Sequence, residues 1–257
     1  MRDTKRQPQT RRTSWALLPL VLFACGGGGP TGPTPEDFSV LFVGNSLTYT
    51  NDLPGMLVSL FDMGGAEDIV VGSETKPNYG LPDHWIDGAR NRIADGAWDV
   101  VVLQQGPSAT EGRPYLLEYS NLFAEDIRSI GATPALYMVW PSIQRFFDFD
   151  GVSDSYQTAA AQVNGLLFPV GEAWRIAWEA DPDLALYGPD GFHPSVLGTY
   201  LAALVIYEQL SGLDPTDLPA RIESGSMSDD IDPALALLLQ NAAAEANARF
   251  ARTAGTP

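Results

Sequence analysis

The stretch Phe38-Ser39-Val40-Leu41-Phe42-Val43-Gly44-Asn45-Ser46-Leu47-Thr48 decides how this chain folds. Phe38 to Val43 is a run of apolar and β-branched residues with almost no alternation. Such a run reads as a strand buried on both faces, the kind a parallel sheet requires. Gly44 ends it, and a serine follows at the carboxyl end, where open parallel sheets build their sites.

Working outward, strand and helix patterns alternate. Helices are expected at Asp52 to Phe61, Asp83 to Ala94, Tyr119 to Ile130, Val152 to Asn164, Glu172 to Glu179, Ser195 to Leu210 and Pro233 to Arg252. Strands are expected at Asp68 to Gly72, Asp99 to Gln104, Ala135 to Trp140 and Leu166 to Val170. This order predicts one α/β domain with a parallel sheet between two helical layers. Glu223 to Asp232 is polar and reads as a mobile surface loop.

The first 24 residues read as an export signal rather than as part of the fold. Arg2, Lys5, Arg6, Arg11 and Arg12 precede the apolar run Trp15 to Ala24, which is too short to span a bilayer. Leu22-Phe23-Ala24-Cys25 resembles the lipobox of bacterial lipoproteins, which implies lipidation of Cys25, the chain's single cysteine. Acylation at more than one position would hold the protein firmly to a membrane. Residues 25–37 are rich in glycine and proline and read as a tether. Residues 38–257 are the domain, long enough to bury one substantial core.

The whole chain carries a formal charge of −17, and its signal holds five of the 15 basic residues. The remainder is strongly acidic and has no basic patch, which argues against a nucleic-acid partner. No ligand cluster with metal-binding spacing is present. Asp148, Asp150 and Asp154 lack the calcium-loop pattern, and no cofactor is expected.

The chemistry-bearing residues form two islands. A serine hydroxyl needs a base to take its proton, and histidine suits that task at neutral pH. The chain has only two histidines, His84 and His193. His193 lies in Asp190-Gly191-Phe192-His193-Pro194, where a turn can set the Asp190 carboxylate against one ring nitrogen. The other nitrogen is then free to face Ser46.

In these islands the chain resembles the SGNH/GDSL hydrolases, and within them a bacterial subgroup whose first block reads Gly-Asn-Ser-Leu/Phe-Thr. That block is Gly44-Asn45-Ser46-Leu47-Thr48, and the family's Asp-x-x-His block is Asp190 to His193. The resemblance implies a flavodoxin-like α/β/α sandwich of about five parallel strands. It also implies Ser46 as nucleophile, His193 as base and Asp190 as its partner. For the oxyanion hole it implies the Ser46 N–H, a glycine N–H matched by Gly80, and an asparagine from a third block. The third block departs here, reading Gln104-Gln105-Gly106-Pro107-Ser108. Gln104, Gln105 and Ser108 are therefore all candidates for the missing donor. Asn45, His84, Trp140 and Arg145 are candidate pocket residues, with packing as the other reading for His84 and Trp140.

These expectations add up to an exported, lipid-anchored serine esterase without cofactor. It would act on small acyl esters, acetyl above all, on acylated carbohydrates. The alternative is a ligand-binding lipoprotein that keeps the fold without the chemistry.

Overall fold

The computed structural model describes residues 38–225 and 227–251. The export signal, Cys25 and the tether lie outside the described residues. In chain order the elements are β1 (Phe38–Gly44), α1 (Ser46–Tyr49), α2 (Leu53–Met63), β2 (Ile69–Thr75), α3 (Leu81–Ile86), α4 (Ala89–Ala94), β3 (Val100–Leu103), α5 (Arg113–Ser129), β4 (Thr133–Tyr137), α6 (Phe149–Gln162), β5 (Leu166–Phe168), α7 (Val170–Ala180), α8 (Val196–Ser211), β6 (Arg221–Ser224), β7 (Met227–Asp230) and α9 (Pro233–Phe250).

The main sheet has five parallel strands in the order β2-β1-β3-β4-β5. β1 is central in bonding terms, because β2 and β3 both pair with it and neither of its edges is free. Val40, Leu41, Phe42 and Val43 are fully buried, as the unbroken apolar run requires. From β1 the chain steps to β2 on one side, then crosses back to β3 on the other. This reversal opens a crevice beyond the carboxyl ends of β1 and β3. The residues after Gly44 and after Leu103 enter that crevice.

Helix α8 explains much of the remaining core. Gly198 through Tyr207 are all buried, so this helix is apolar around its circumference and must be covered on every side. α2, α7 and α9 pack against it. Polar side chains fasten the layers: Asn247 Nδ2 donates to the Val205 carbonyl at 3.0 Å, and Gln240 Nε2 to the Leu218 carbonyl at 3.0 Å. Trp140, just past β4, stacks on Trp174 of α7 with ring centroids 3.6 Å apart. Trp178 and Tyr187 extend this aromatic cluster.

Three expectations are corrected. The helix expected over Asp83 to Ala94 is two short helices, broken where Gly88 takes the left-handed φ of 97°. The strand expected over Ala135 to Trp140 ends at Tyr137, and the next residues leave the sheet while staying buried. The polar stretch expected to be a mobile loop contains an antiparallel hairpin, β6 with β7. Its inward residues are Ile222 and Ser224, an alternation too short and too polar to read in advance.

The aromatic stack supplies a stability test. Trp174→Ala is expected to cost about 3–5 kcal/mol, as large core truncations do. For a domain of this size that is a fall of roughly 6–20 °C in Tm, measurable by calorimetry.

Candidate active site

Ser46 is the first residue of α1, directly after β1. Asn45 caps that helix, its Oδ1 accepting from the Leu47 N–H at 3.0 Å. The turn is pinned from three sides. Gln104 Oε1, at the end of β3, accepts from the Asn45 N–H and the Thr48 hydroxyl, each at 2.9 Å. Asn45 Nδ2 donates to the Tyr79 carbonyl at 2.8 Å. His84 Nε2 lies 2.7 Å from the Gly44 carbonyl, and because a carbonyl only accepts, the nitrogen carries the proton. A side chain at Gly44 would strike Gln104 Oε1 at 2.6 Å, so the glycine is required by this close approach.

Asp190 and His193 sit on the loop before α8. Asp190 Oδ1 accepts from the Phe192 and His193 N–H groups at 3.0 and 2.9 Å, closing a tight turn. Gly191 permits it with a φ of 68°. The loop is laid over the aromatic cluster: Trp140 Nε1 donates to the Phe192 carbonyl at 3.0 Å, and the Tyr187 hydroxyl to the Pro141 carbonyl at 2.6 Å.

The two islands meet. His193 Nδ1 is 2.5 Å from Asp190 Oδ2, and His193 Nε2 is 2.8 Å from Ser46 Oγ. The hydrogen bond from His193 first, then the Phe192 N–H, hold the Asp190 carboxyl down to about 2. Asp190 is therefore an acceptor at any pH near neutrality, and His193 Nδ1 must bear the proton shared with it. Neutral His193 then presents a bare Nε2 that accepts from the Ser46 hydroxyl. The Asp190 and His193 side chains are 52% and 35% exposed, so the site is open.

The candidate oxyanion donors separate. Among the described residues the Ser46 N–H has no hydrogen-bond acceptor in the protein. The Gly80 N–H, expected to be free, donates instead to Asp83 Oδ2 at 2.8 Å as part of the α3 cap. Gln104 is wholly buried, and its Nε2 donates to the Gln105 carbonyl at 2.8 Å, so both ends of its amide are in use. Ser108 is buried too, its hydroxyl turned to the Gly106 carbonyl at 2.7 Å. Gln105 differs: its Oε1 is anchored by the Leu81 N–H at 2.6 Å, which fixes the amide against Gly80. Its Nε2 is left without a hydrogen-bond partner among the described residues.

The candidate pocket residues lie elsewhere than expected. His84 is fully buried and holds backbone rather than lining an open surface. Trp140 is equally buried, facing Trp174. Asn45 has both ends of its amide engaged within the fold. Arg145 is exposed but paired with Asp148 and with Glu111. Asp150 and Asp154 likewise pair with Arg175 and Arg113. Sequence reasoning did not single out Ile143, Phe146 and Phe147, three exposed apolar residues of which Ile143 touches the Asp190 loop. The Ile143 N–H donates to the Gly191 carbonyl at 2.8 Å. Ile143 and Phe146 help line a cavity of about 440 Å³ with Trp178, Leu184 and Tyr187.

Burial lowers the pKa of His84, and its Nδ1 is enclosed with no hydrogen-bond partner. In the unfolded chain the same ring protonates near its ordinary value of 6.5. Unfolding then takes up a proton, so stability falls as pH drops through 6.5 toward the lower folded value. Thermal unfolding followed from pH 8 to 5 is expected to show this fall, and His84→Gln to flatten it.

No protein-family model matches the chain, and no curated protein matches it. Solved structures do. A protein from Slackia heliotrinireducens assigned to the SGNH hydrolases is 27% identical, covering 67% of this chain and 98% of its own with a TM-score of 0.58. A DUF4886 family protein from Bacteroides uniformis is 20% identical over 83% of this chain and 96% of its own, with a TM-score of 0.69. A lipase/acylhydrolase from Enterococcus faecalis is 14% identical over 74% and 100%, with a TM-score of 0.56. With its five-stranded parallel sheet flanked by helices, the chain has the fold of the SGNH hydrolases.

Proposed function

We propose that this protein is a serine esterase that cleaves small acyl esters through a covalent acyl-enzyme. The observation that carries the reading is the unbroken hydrogen-bond chain Ser46–His193–Asp190. Its likeness to SGNH and lipase/acylhydrolase structures supports ester bonds as the target.

In this reading Ser46 Oγ attacks the ester carbonyl carbon while its proton passes to His193 Nε2. Asp190 keeps the ring in the required tautomer and stabilises the imidazolium. The tetrahedral oxyanion takes hydrogen bonds from the Ser46 N–H and from Gln105 Nε2. Collapse expels the alcohol, which receives the proton from His193. A water molecule then gives its proton to His193 and attacks the acyl carbon; the acyl–Oγ bond breaks, His193 returns that proton to Ser46 Oγ, and the carboxylic acid leaves.

The substrate class we infer is acetylated carbohydrate, met outside the cytoplasm by an enzyme anchored through lipid on Cys25. The openness of the Asp190–His193 pair suits an ester displayed on a bulky or polymeric alcohol. Metabolic labelling with a fatty-acid analogue tests the anchor: Cys25→Ser should abolish incorporation and release the protein from membranes.

One observation favours the second reading, a non-catalytic binder. The Gly80 N–H is occupied by Asp83, which removes one expected oxyanion donor. Hydrolysis of p-nitrophenyl acetate separates the two. For an esterase, Ser46→Ala and His193→Ala are each expected to lower kcat by about 10³-fold or more. Gln105→Ala should lower kcat by about a hundredfold, the usual loss for an oxyanion donor. A folded parent no faster than Ser46→Ala, and unlabelled by a fluorophosphonate, would decide for the binder. A Gln105→Ala variant with the parent's kcat would remove Gln105 from the oxyanion site.

A further inference from the structure

The segment after α1 contains two successive non-glycine residues in the left-handed region. Asn51 has φ 56° and ψ 19°, and Asp52 has φ 56° and ψ 56°. Only four non-glycine residues with positive φ occur among the described residues, and these two are adjacent and close to Ser46. Asparagine and aspartate tolerate this conformation better than most, but two in a row persist only where side chains hold them.

Both side chains do so by reaching far along the chain. Asn51 Nδ2 donates to the Pro194 carbonyl at 3.0 Å and to Thr199 Oγ1 at 2.9 Å. The orientation of the amide is unambiguous, because the Pro194 carbonyl only accepts. Asp52 Oδ2 accepts from the Ser224 hydroxyl at 2.6 Å, while its Oδ1 caps α2 through the Gly55 N–H at 3.2 Å. Asn51 thus joins the element that begins with Ser46 to the residue immediately after His193. Pro194 is buried, and its ring limits the backbone freedom that would otherwise absorb a displacement.

Resting on the serine-hydrolase reading, we infer that Asn51 is a positioning residue that sets the Ser46–His193 separation by bracing one island against the other. The left-handed turn is what aims its amide across the crevice. The β6–β7 hairpin supports the same turn through Ser224 and Asp52. Without the brace, the direct polar links left between the two segments are the Ser46–His193 hydrogen bond, which must break and re-form in each turnover, and the long contact of the Thr199 hydroxyl with the Thr50 carbonyl at 3.5 Å.

The test compares Asn51→Gly and Asn51→Asp with the parent. Glycine keeps the left-handed backbone and removes the brace. Aspartate keeps the shape and sets a carboxylate against the Pro194 carbonyl. Both are expected to lower kcat for p-nitrophenyl acetate and the rate of fluorophosphonate labelling of Ser46 by about ten- to a hundredfold, with KM within about twofold. A merely structural residue would lower Tm and leave these rates unchanged in the folded protein at low temperature, which would overturn the inference. If neither variant folds, Thr199→Val removes one of the two acceptors without a change of volume. It should give a smaller loss in the same rates, and parent-like rates would count against the brace. NMR of the His193 ring, identified by signals lost in His193→Gln, reads the brace without turnover. The signals should shift in Asn51→Gly, and unchanged signals would overturn it. A parent protein that neither hydrolyses the ester nor takes up the fluorophosphonate would instead remove the esterase reading, leaving the ring signals to decide the brace.

Discussion

The candidate site depends on one constraint: the turn that presents Ser46 is buried, so nearly every polar group on it must find a partner inside the protein. The Gly44 carbonyl is met by His84 and by the Lys76 N–H, the Asn45 N–H by Gln104, and the Asn45 side chain by Tyr79 and Leu47. An unmet partner at any of these places would cost about 1–3 kcal/mol and loosen the turn. What this pairing leaves over is the Ser46 N–H and hydroxyl. The groups that remain are an N–H donor and a hydroxyl side by side. Their availability is a consequence of saturating everything around them.

The same logic assigns the two glutamines at the end of β3. Successive residues leaving a strand point in opposite directions. Gln104 turns under the nucleophile turn and is consumed there. Gln105 turns toward Gly80, spends only its oxygen on Leu81, and keeps its NH₂. In the proposed reading the two glutamines divide support and donation between them. His84 belongs to the support side, and its neutral, enclosed ring is suited to hold a carbonyl and unsuited to meet a substrate.

Much of this was legible in the sequence, and the reasons differ by element. Val40 to Val43 and Val100 to Leu103 are apolar without interruption, and burial on both faces leaves that mark plainly. The order of strands and helices then placed Ser46 in the crevice, and the scarcity of histidines left His193 as its partner. The burial of His84 and Trp140 was not legible, because an aromatic residue near a strand end looks the same whether it faces a pocket or another ring. The Gly80–Asp83 bond was hidden because a backbone N–H carries no residue-specific signal. Asn51 was hidden for a further reason. Its role follows from a left-handed backbone, and an asparagine between Thr50 and Asp52 reads as an ordinary turn.

The fold also bears on how the proposed substrate is met. β1 begins at Phe38 at one end of the sheet and releases Ser46 at the other. Its seven residues set those ends about 20 Å apart, so Phe38 lies at the far end of the strand from the Ser46–His193 pair. A strongly acidic domain gains nothing from an anionic bilayer surface. In the proposed reading, this acidity and the open Asp190–His193 pair favour esters arriving from the aqueous side over those embedded in a membrane. They fit an acylated glycan better than an acyl lipid.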